Sequence, residues 1–323
     1  MRRCLLFALL PLLLCGCGVP SFLITPVSSN QELDEIQVEP GQGLFPSKIV
    51  IIPVEGVLAN IKEGAFLGPT ENPLSLFVQQ MDKAQADPSV AAIVLRVNSP
   101  GGAVATSDTM YARIKEFREK TGKPVIAAAQ EVDASGAYYV SCACNKIVVH
   151  PAGIMGSIGV IFETFDFTGT MDKIGVVSNT IKSAPMKDIG SPFTRMTTAE
   201  RAVLQGLVDN FFTRFKGVVM ENRPVKSGAE IARVSDGRVF DATDAVDFGL
   251  ADKIGRLPDA IELAKQMAHA TDAEVVMYKR PYGYTGSIYA ESSTPQLKSD
   301  VLTLSLPGAQ SMLPGGFYYL WMP

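Results

Sequence analysis

Apolar residues along this chain form continuous runs in some places and helically spaced stripes in others. Continuous apolar runs predict buried strands at residues 48–54, 91–97, 124–129 and 146–149, and two further strands are predicted at 160–163 and 176–182. Helical spacing or helix-start signals predict helices at residues 73–87, 104–120, 135–144, 166–174, 197–221, 228–232, 243–248 and 258–270. Strands that alternate with amphipathic helices indicate an α/β fold with parallel strands, followed here by a helical C-terminal part.

Start and stop signals support these elements. Asp87-Pro88 ends the first predicted helix, because proline cannot continue it. Thr197 followed by Glu200 is the pattern of a capping box and predicts the start of the long helix. A loop with glycine or serine follows each predicted strand. Open α/β sheets place their functional sites at these carboxyl ends, so we expect the site there.

The first 46 residues differ from the rest. A positive start, Met1-Arg2-Arg3, precedes an apolar run that ends at Cys15. This is the layout of a secretory signal, shorter than the roughly 20 residues of a membrane-spanning helix. The run closes with Leu14-Cys15-Gly16-Cys17, which resembles a bacterial lipobox and predicts a lipid on Cys17. A simple cleaved signal and an uncleaved anchor are the alternatives.

All three interpretations place the body outside the cytoplasm, at a membrane. The predicted division is a signal segment at 1–17, a flexible tether at 18–46, a folded body at 47–270 and a tail at 271–323. The tether is predicted from its Pro, Ser, Gln and Gly content. The tail is predicted to be weakly structured, with an apolar end that docks on the body or on a neighbour.

Composition limits the chemistry of the body. The chain has 323 residues and a formal net charge of −4, so no basic face predicts a nucleic-acid partner. Only two histidines, His150 and His269, are available for a histidine-based site. Cys142 and Cys144 lie two apart in a predicted helix, where their side chains diverge. Without a Cys/His cluster we expect structural cysteines, no metal and no cofactor.

Ser135 is the candidate nucleophile. It lies at a predicted strand-to-helix junction, where the helix N-terminus supplies free N–H groups and partial positive charge. The N–H of Gly136 could then bind an oxyanion, and Gly101-Gly102 allows close approach of a second N–H donor. The alternative is that Ser135 only caps its helix.

A serine nucleophile needs a base, and neither histidine is well placed for this role. A neutral lysine can serve if burial or a neighbouring cation lowers its pKa. Lys187 is the candidate, although a plain surface lysine is the alternative, and Lys182 is the rival base. Ser157 could hold the lysine amine by a hydrogen bond, or could be an ordinary turn serine.

Four short motifs resemble the signal peptide peptidase SppA (protease IV) family in its short form. They are NSPGG at 98–102, ASGAYY at 134–139, GSIGV at 156–160 and KSAPMKDIGSP at 182–192. The later run DGRVFDATDAVDFGLADKIG at 236–255 is also similar to that family. The resemblance covers roughly residues 48–270, whereas NSPGG alone would indicate only the wider ClpP/crotonase fold.

The resemblance implies a ClpP/crotonase-like fold of ββα units and a Ser/Lys dyad. Ser135 would be the nucleophile and Lys187 the general base, with oxyanion N–H groups from Gly102 and Gly136 and with Ser157 positioning the lysine. The family's short members form homo-oligomeric rings in which serine and lysine meet across a subunit boundary. Its substrates are remnant signal peptides in or near the membrane, with apolar side chains at the cut.

Three features depart from the family pattern. Asp133 stands where a small or apolar residue is more usual, Ala137 replaces a second glycine, and a lipid anchor replaces the usual transmembrane helix. Two other functions remain open at this point. One is a crotonase-type enzyme acting on acyl thioesters, and the other is a lipoprotein scaffold without catalysis.

Overall fold

A parallel sheet forms the centre of the computed structural model, which describes residues 32–60, 72–225, 227–280 and 316–321. Within these ranges the strands are β1 Asp34–Glu39, β2 Lys48–Leu58, β3 Val90–Ala103, β4 Val125–Ala134, β5 Lys146–Val149, β6 Ile154–Gly156, β7 Ile161–Glu163, β8 Val239–Asp241, β9 Lys253–Ile254, β10 Glu274–Lys279 and β11 Gly316–Leu320. The main path through the sheet is β1-β10-β2-β3-β4-β5-β9. From β10 to β9 every pair on this path is parallel.

Helices cover both faces of the sheet. They are α1 Pro73–Ala86, α2 Val104–Thr121, α3 Gly136–Ser141, α4 Thr168–Ile174, α5 Thr198–Asn222, α6 Gly228–Val234, α7 Ala242–Asp247 and α8 Leu257–Met267. The capping box at the start of α5 is confirmed, because Thr197 and Glu200 bond each other's backbone N–H groups. The α/β class predicted from the sequence is therefore confirmed.

The central strands are apolar on both faces because each face packs against a separate core. In β2, Val50 and Ile52 point into the larger core, with α1, α2 and α3. Ile49 and Ile51 point to the opposite face and pack against α8. Side chains alternate across a strand, so a continuous apolar run is what a sheet covered on both sides requires.

One predicted strand is wrong. Residues 176–182 form no strand, and Val177 and Ile181 are among the most exposed apolar residues of the described chain. These residues find no neighbouring strand within a single chain, and a strand without a partner leaves its backbone groups unpaired.

The predicted tether and tail both need correction, because the body is larger than residues 47–270. β1 lies in the range predicted as tether and pairs antiparallel with β10, which lies in the range predicted as weakly structured tail. β10 in turn extends the parallel sheet beside β2. These edge strands were missed because their pairing partners lie far away in the sequence.

The apolar end of the tail docks on the body, which is one of the two predicted possibilities, the other being a neighbouring molecule. β11 pairs antiparallel with both β3 and β7. The predicted signal segment, Cys17 and most of the predicted tether lie outside the described residues. In the ranges that the structure describes, no helix combines the length and the apolarity needed to cross a membrane.

Candidate active site

Ser135 lies at the sharp turn between β4 and α3. Its φ of 54° is uncommon for a residue with a side chain, and such strained positions cluster at functional sites. The turn is held by a hydrogen bond of 2.7 Å from the Ser135 N–H to the Gly156 carbonyl. The Ser135 side chain makes no capping hydrogen bond to α3. The structure therefore does not support the alternative that this serine only caps its helix.

The backbones of Gly101, Gly102 and Gly136 come unusually close to one another beside Ser135. A Cβ atom built on Gly136 would lie 3.1 Å from the Gly102 nitrogen, and one built on Gly101 would lie 2.5 Å from the Gly136 nitrogen. A Cβ atom on Gly102 would collide with the backbone of Leu58. Only glycine fits these positions, and the two candidate oxyanion N–H groups lie side by side.

Ser135 and Ser157 line one open cleft of about 610 Å³. Ser157 also has a positive φ, of 48°, and its N–H donates to the Arg238 carbonyl. Because Gly156, next to Ser157, bonds the Ser135 N–H, the two serines belong to one connected pair of turns. The sequence placed these serines in separate loops, and the fold brings them to the same cleft.

β11 runs along this cleft as an extended strand. Tyr319 pairs with Gly102, and the Trp321 N–H donates to the Pro100 carbonyl at 2.8 Å. The Tyr319 carbonyl oxygen lies 2.9 Å from where a Cβ on Gly136 would stand. Leu320 and Trp321 line the cleft together with Ser135. A stretch of this chain thus places a peptide carbonyl against the backbone of Gly136.

The Tyr319 side chain fills an aromatic pocket beneath β11. Its ring stacks on Tyr139 with centroids 5.2 Å apart and lies 4.8 Å from Phe215. Its hydroxyl donates to the Phe211 carbonyl at 2.9 Å. Sequence reasoning missed these residues as part of the site. The dense aromatic end of the chain, FYYLW, was the available signal.

Lys187 is exposed and is not among the residues that line the cleft. It lies in an irregular stretch between α4 and α5, which we name the lysine segment and define as residues 175–196. The rival base, Lys182, is engaged in an ion pair of 2.6 Å with Asp188. The described structure therefore brings together Ser135, Gly102, Gly136 and Ser157 but leaves Lys187 apart from them.

The cleft itself supplies no lysine or histidine from the described residues. Its ionisable groups are Asp209 and Asp236, and Asp236 forms an ion pair with Arg238. The lysine segment carries several exposed apolar side chains, and a contiguous patch of this kind marks a contact surface. They are Val176, Val177, Ile181, Met186 and Phe193.

Asp133, one of the departures from the family pattern, lies directly before the nucleophile turn. It is fully buried, and neither carboxyl oxygen has a hydrogen-bond partner. Burial raises the pKa of this carboxyl to about 7. Ala137, the other departure in this turn, is also fully buried and packs in the main core.

The two cysteines near the site lie in surroundings typical of structural cysteines. Cys142 and Cys144 are free and buried, and burial raises the pKa of the Cys142 thiol to about 12. A thiol held in its protonated form is a poor nucleophile and a poor metal ligand. Across the described parts of the chain, no group of three His, Cys, Asp or Glu side chains could hold a metal ion.

Comparison with protein-family models gives one match, to Peptidase family S49 over residues 117–271. A protein of Enterococcus faecium named "Putative signal peptide peptidase SppA" is 34% identical over 250 residues, which are 77% of this chain and 72% of that one. Protease 4 of Salmonella typhi is 34% identical over 190 residues, 58% of this chain and 30% of that protein.

A solved structure, a serine-to-alanine mutant of the 1510-N membrane-bound stomatin-specific protease, is similar to this chain. The TM-score is 0.47 and the sequence identity is 14%, with 72% of this chain and 98% of that chain covered.

Proposed function

Since this chain belongs to Peptidase family S49 and is a serine peptidase, we propose that it cleaves peptides with Ser135 as nucleophile and Lys187 as base. The family membership favours neither of the two other functions that the sequence left open, the acyl-thioester enzyme and the inactive scaffold.

The observation that carries this proposal is the course of β11. An extended segment lies antiparallel to β3, with its Tyr319 carbonyl against the backbones of Gly101 and Gly136 and with Leu320 lining the same cleft as Ser135. This is the arrangement that a peptide substrate needs, because edge strands bind extended peptides by adding them to the sheet. It supports an endopeptidase that binds its substrate as a strand.

The chemistry follows from these positions. The Ser135 hydroxyl attacks the peptide carbonyl carbon while its proton passes to the neutral Lys187 amine, and the N–H groups of Gly102 and Gly136 donate to the oxyanion. Lys187 then gives the proton to the departing amine as the peptide C–N bond breaks, which leaves an acyl ester on Ser135. Water, activated by Lys187, hydrolyses the ester and regenerates the serine.

Lys187 would reach the cleft from a second copy of the chain. Two observations support this: Lys187 is not among the residues that line the cleft of its own chain, and the lysine segment that carries it has several exposed apolar residues. The ion pair between Lys182 and Asp188 also compensates the negative charge of Asp188, the residue next to Lys187. We therefore propose a homo-oligomeric ring in which Ser157 of one copy positions the lysine of another.

The N-terminal residues suggest where this enzyme acts. A signal segment with lipidated Cys17 would tether the body on the extracytoplasmic side of a membrane. Tethering would restrict the enzyme to membrane-proximal peptides. Remnant signal peptides, the substrates implied by the family resemblance, are apolar peptides of this kind.

A complementation experiment tests the dyad and its assembly. Ser135→Ala and Lys187→Ala should each lower kcat by at least about 10³-fold, because each removes a member of one catalytic unit. Protein folded together from equal amounts of both variants should regain about a quarter of the original activity. That is the fraction of subunit boundaries at which an intact serine meets an intact lysine.

Lys173→Ala is the matched control, since Lys173 is an exposed lysine on the neighbouring α4, and it should retain full activity. Full activity of the Lys187→Ala protein would rule out the dyad. Inactive single variants that never complement would instead place the lysine in the same chain as its serine.

A further inference from the structure

Asp133 is a buried carboxyl group with no role in the dyad. In β4 it pairs with Ser99 of β3 on one side and with Met155 of β6 on the other. Its exposure is 0%, and both carboxyl oxygens lack a hydrogen-bond partner. The Ser141 hydroxyl, at the end of α3, is also buried and without a partner. It lies near enough to the carboxyl to favour its ionisation slightly.

Among the residues that the structure describes, no cation compensates a charge at this position. The titratable groups that interact electrostatically with the Asp133 carboxyl are Tyr138, Cys142 and Cys144. Burial raises the pKa of each of these groups, so all three are neutral. The two strand neighbours named above, a serine and a methionine, carry no charge. The guanidinium of Arg223 acts on Tyr138 and Cys142 rather than on Asp133.

Arg223 is in any case already engaged elsewhere. It forms an ion pair of 2.8 Å with Asp252 and donates to the Gly249 carbonyl at 3.0 Å. An isolated ionised carboxylate in an apolar interior is strongly unfavourable, whereas the neutral acid can be accommodated. The surroundings of Asp133 thus favour the protonated form, which has one O–H to donate.

We propose that Asp133 is a positioning residue that acts as a neutral carboxylic acid, donating to the Ser141 hydroxyl and so holding both ends of α3 beneath Ser135. The Asp133 carboxyl and the Ser141 hydroxyl can satisfy each other, since both are buried and neither has another hydrogen-bond partner. Asp133 precedes the strained Ser135 turn by two residues, and Ser141 closes the six-residue helix that follows it. Their bond would fix the turn that aims the nucleophile.

Loss of the Asp133 proton should therefore loosen the site. The Ser141 hydroxyl can still donate to the ionised carboxylate, but the need of this buried charge for solvation favours opening of the turn. This consequence deepens the proposed function and rests on Ser135 being the nucleophile. A lysine base gains activity as the pH rises, so ionisation of Asp133 should appear as a separate alkaline limb in the pH profile. The alkaline limb should appear in kcat rather than in KM. Asp133 acts on the turn that carries Ser135, whereas peptide binding depends on strand pairing with β3 and β7.

Asp133→Asn tests this directly, because the amide keeps the shape and the donor but cannot ionise. The unchanged protein should lose kcat about tenfold per pH unit on the alkaline limb, and the Asn variant should lose that limb while keeping its KM. Asp133→Ala, which cannot donate, should have low kcat at every pH. The control is Asp241→Asn at an exposed helix cap, which should leave the profile unchanged. An unchanged alkaline limb in Asp133→Asn overturns the proposal.

Infrared spectroscopy gives a readout that does not depend on peptidase activity. On the Ser135→Ala protein, the C=O stretch of a protonated carboxyl should be present below pH 7 and titrate away above it. Ser141→Ala should shift this band to the frequency of a carboxyl without a hydrogen bond. Absence of the band, or no shift in Ser141→Ala, overturns the role of Asp133 whether or not the protein cleaves peptides. If the band titrates as expected but the protein with Ser135 intact hydrolyses no peptide, the proposed function is contradicted instead.

Discussion

At the scale of single residues, the site depends on backbone shapes that few side chains permit. Ser135 and Ser157 both adopt positive φ values, and each is held there by a backbone hydrogen bond. Gly102 has no such strain but lies against the backbone of Leu58, where any side chain would collide. The glycine is thus required by close packing, and the two serines keep strained backbones beside the cleft.

Gly102→Ala should abolish most activity. Its methyl group would push β3 away from β2 and move one of the two N–H groups that face the oxyanion. Displacement of one such donor should lower kcat by about 10²–10³-fold, with a smaller effect on KM. Steady-state kinetics with a peptide substrate would measure both constants.

Gly206→Ala is the control for that substitution. Gly206 lies within α5, and a Cβ atom there would have open space around it. The Gly206→Ala protein should therefore keep its activity, and its free energy of unfolding should rise by ~0.5–1 kcal/mol. A Gly102→Ala protein as active as Gly206→Ala would show that the Gly102 amide plays no part in the reaction.

At the scale of elements, β11 is the part of the chain that most directly concerns the cleft. It occupies the strand position between β3 and β7 and buries Tyr319 in the aromatic pocket. Any peptide that binds as a strand at this place must compete with it. The strand position beside the cleft is therefore occupied by the protein's own residues 316–320.

A chain that ends at residue 315 should cleave short peptides faster than the full chain. Removal of β11 frees the edge of β3, and the expected result is a lower KM with little change in kcat. Loss of the Tyr319 packing should also lower stability, by roughly 3–5 kcal/mol if the pocket cannot collapse. Kinetics together with thermal unfolding would separate the two effects.

The peptide GFYYLW provides the matching control for that truncation. Added to the shortened protein it should inhibit competitively, because it can take the vacant strand position. An unchanged KM in the shortened protein, with no inhibition by the peptide, would contradict the view that β11 and substrate share one place.

At the scale of the whole molecule, the lysine segment remains unexplained within one chain. It exposes several apolar side chains along an irregular backbone, whereas most apolar residues of the described body lie in two buried cores. A second copy that covers this surface would both bury the apolar residues and bring Lys187 to a cleft. One contact would then account for the exposed surface and for the missing base.

Ile181→Asp should therefore convert the assembly into inactive subunits. Ile181 is fully exposed in the single chain, so aspartate there should leave the fold intact while opposing burial between copies. Light scattering would give the mass and circular dichroism the fold, with activity measured on the same sample. Leu44→Asp, at another exposed site in the loop between β1 and β2, should keep both mass and activity. An active, fully assembled Ile181→Asp protein would remove this surface from the interface.

The sequence by itself determined the central strands, the capped helices and the position of Ser135 at a strand-to-helix turn. These features depend on local signals: continuous apolar runs, the Thr197–Glu200 capping box and the proline after α1. A residue's neighbours along the chain are enough to encode such elements. The S49 motifs likewise lie in short contiguous stretches, which is why the family could be identified from them.

Tertiary structure alone decided the edges of the sheet and the contents of the cleft. β1, β10 and β11 are short strands in weakly patterned sequence, and each is defined by a partner strand distant along the chain. Residues 176–182 show the converse, since their strand-like pattern remains unpaired in one chain. Strand pairing and burial are long-range properties, so local pattern could neither place Tyr319 beside Gly102 nor separate Lys187 from Ser135.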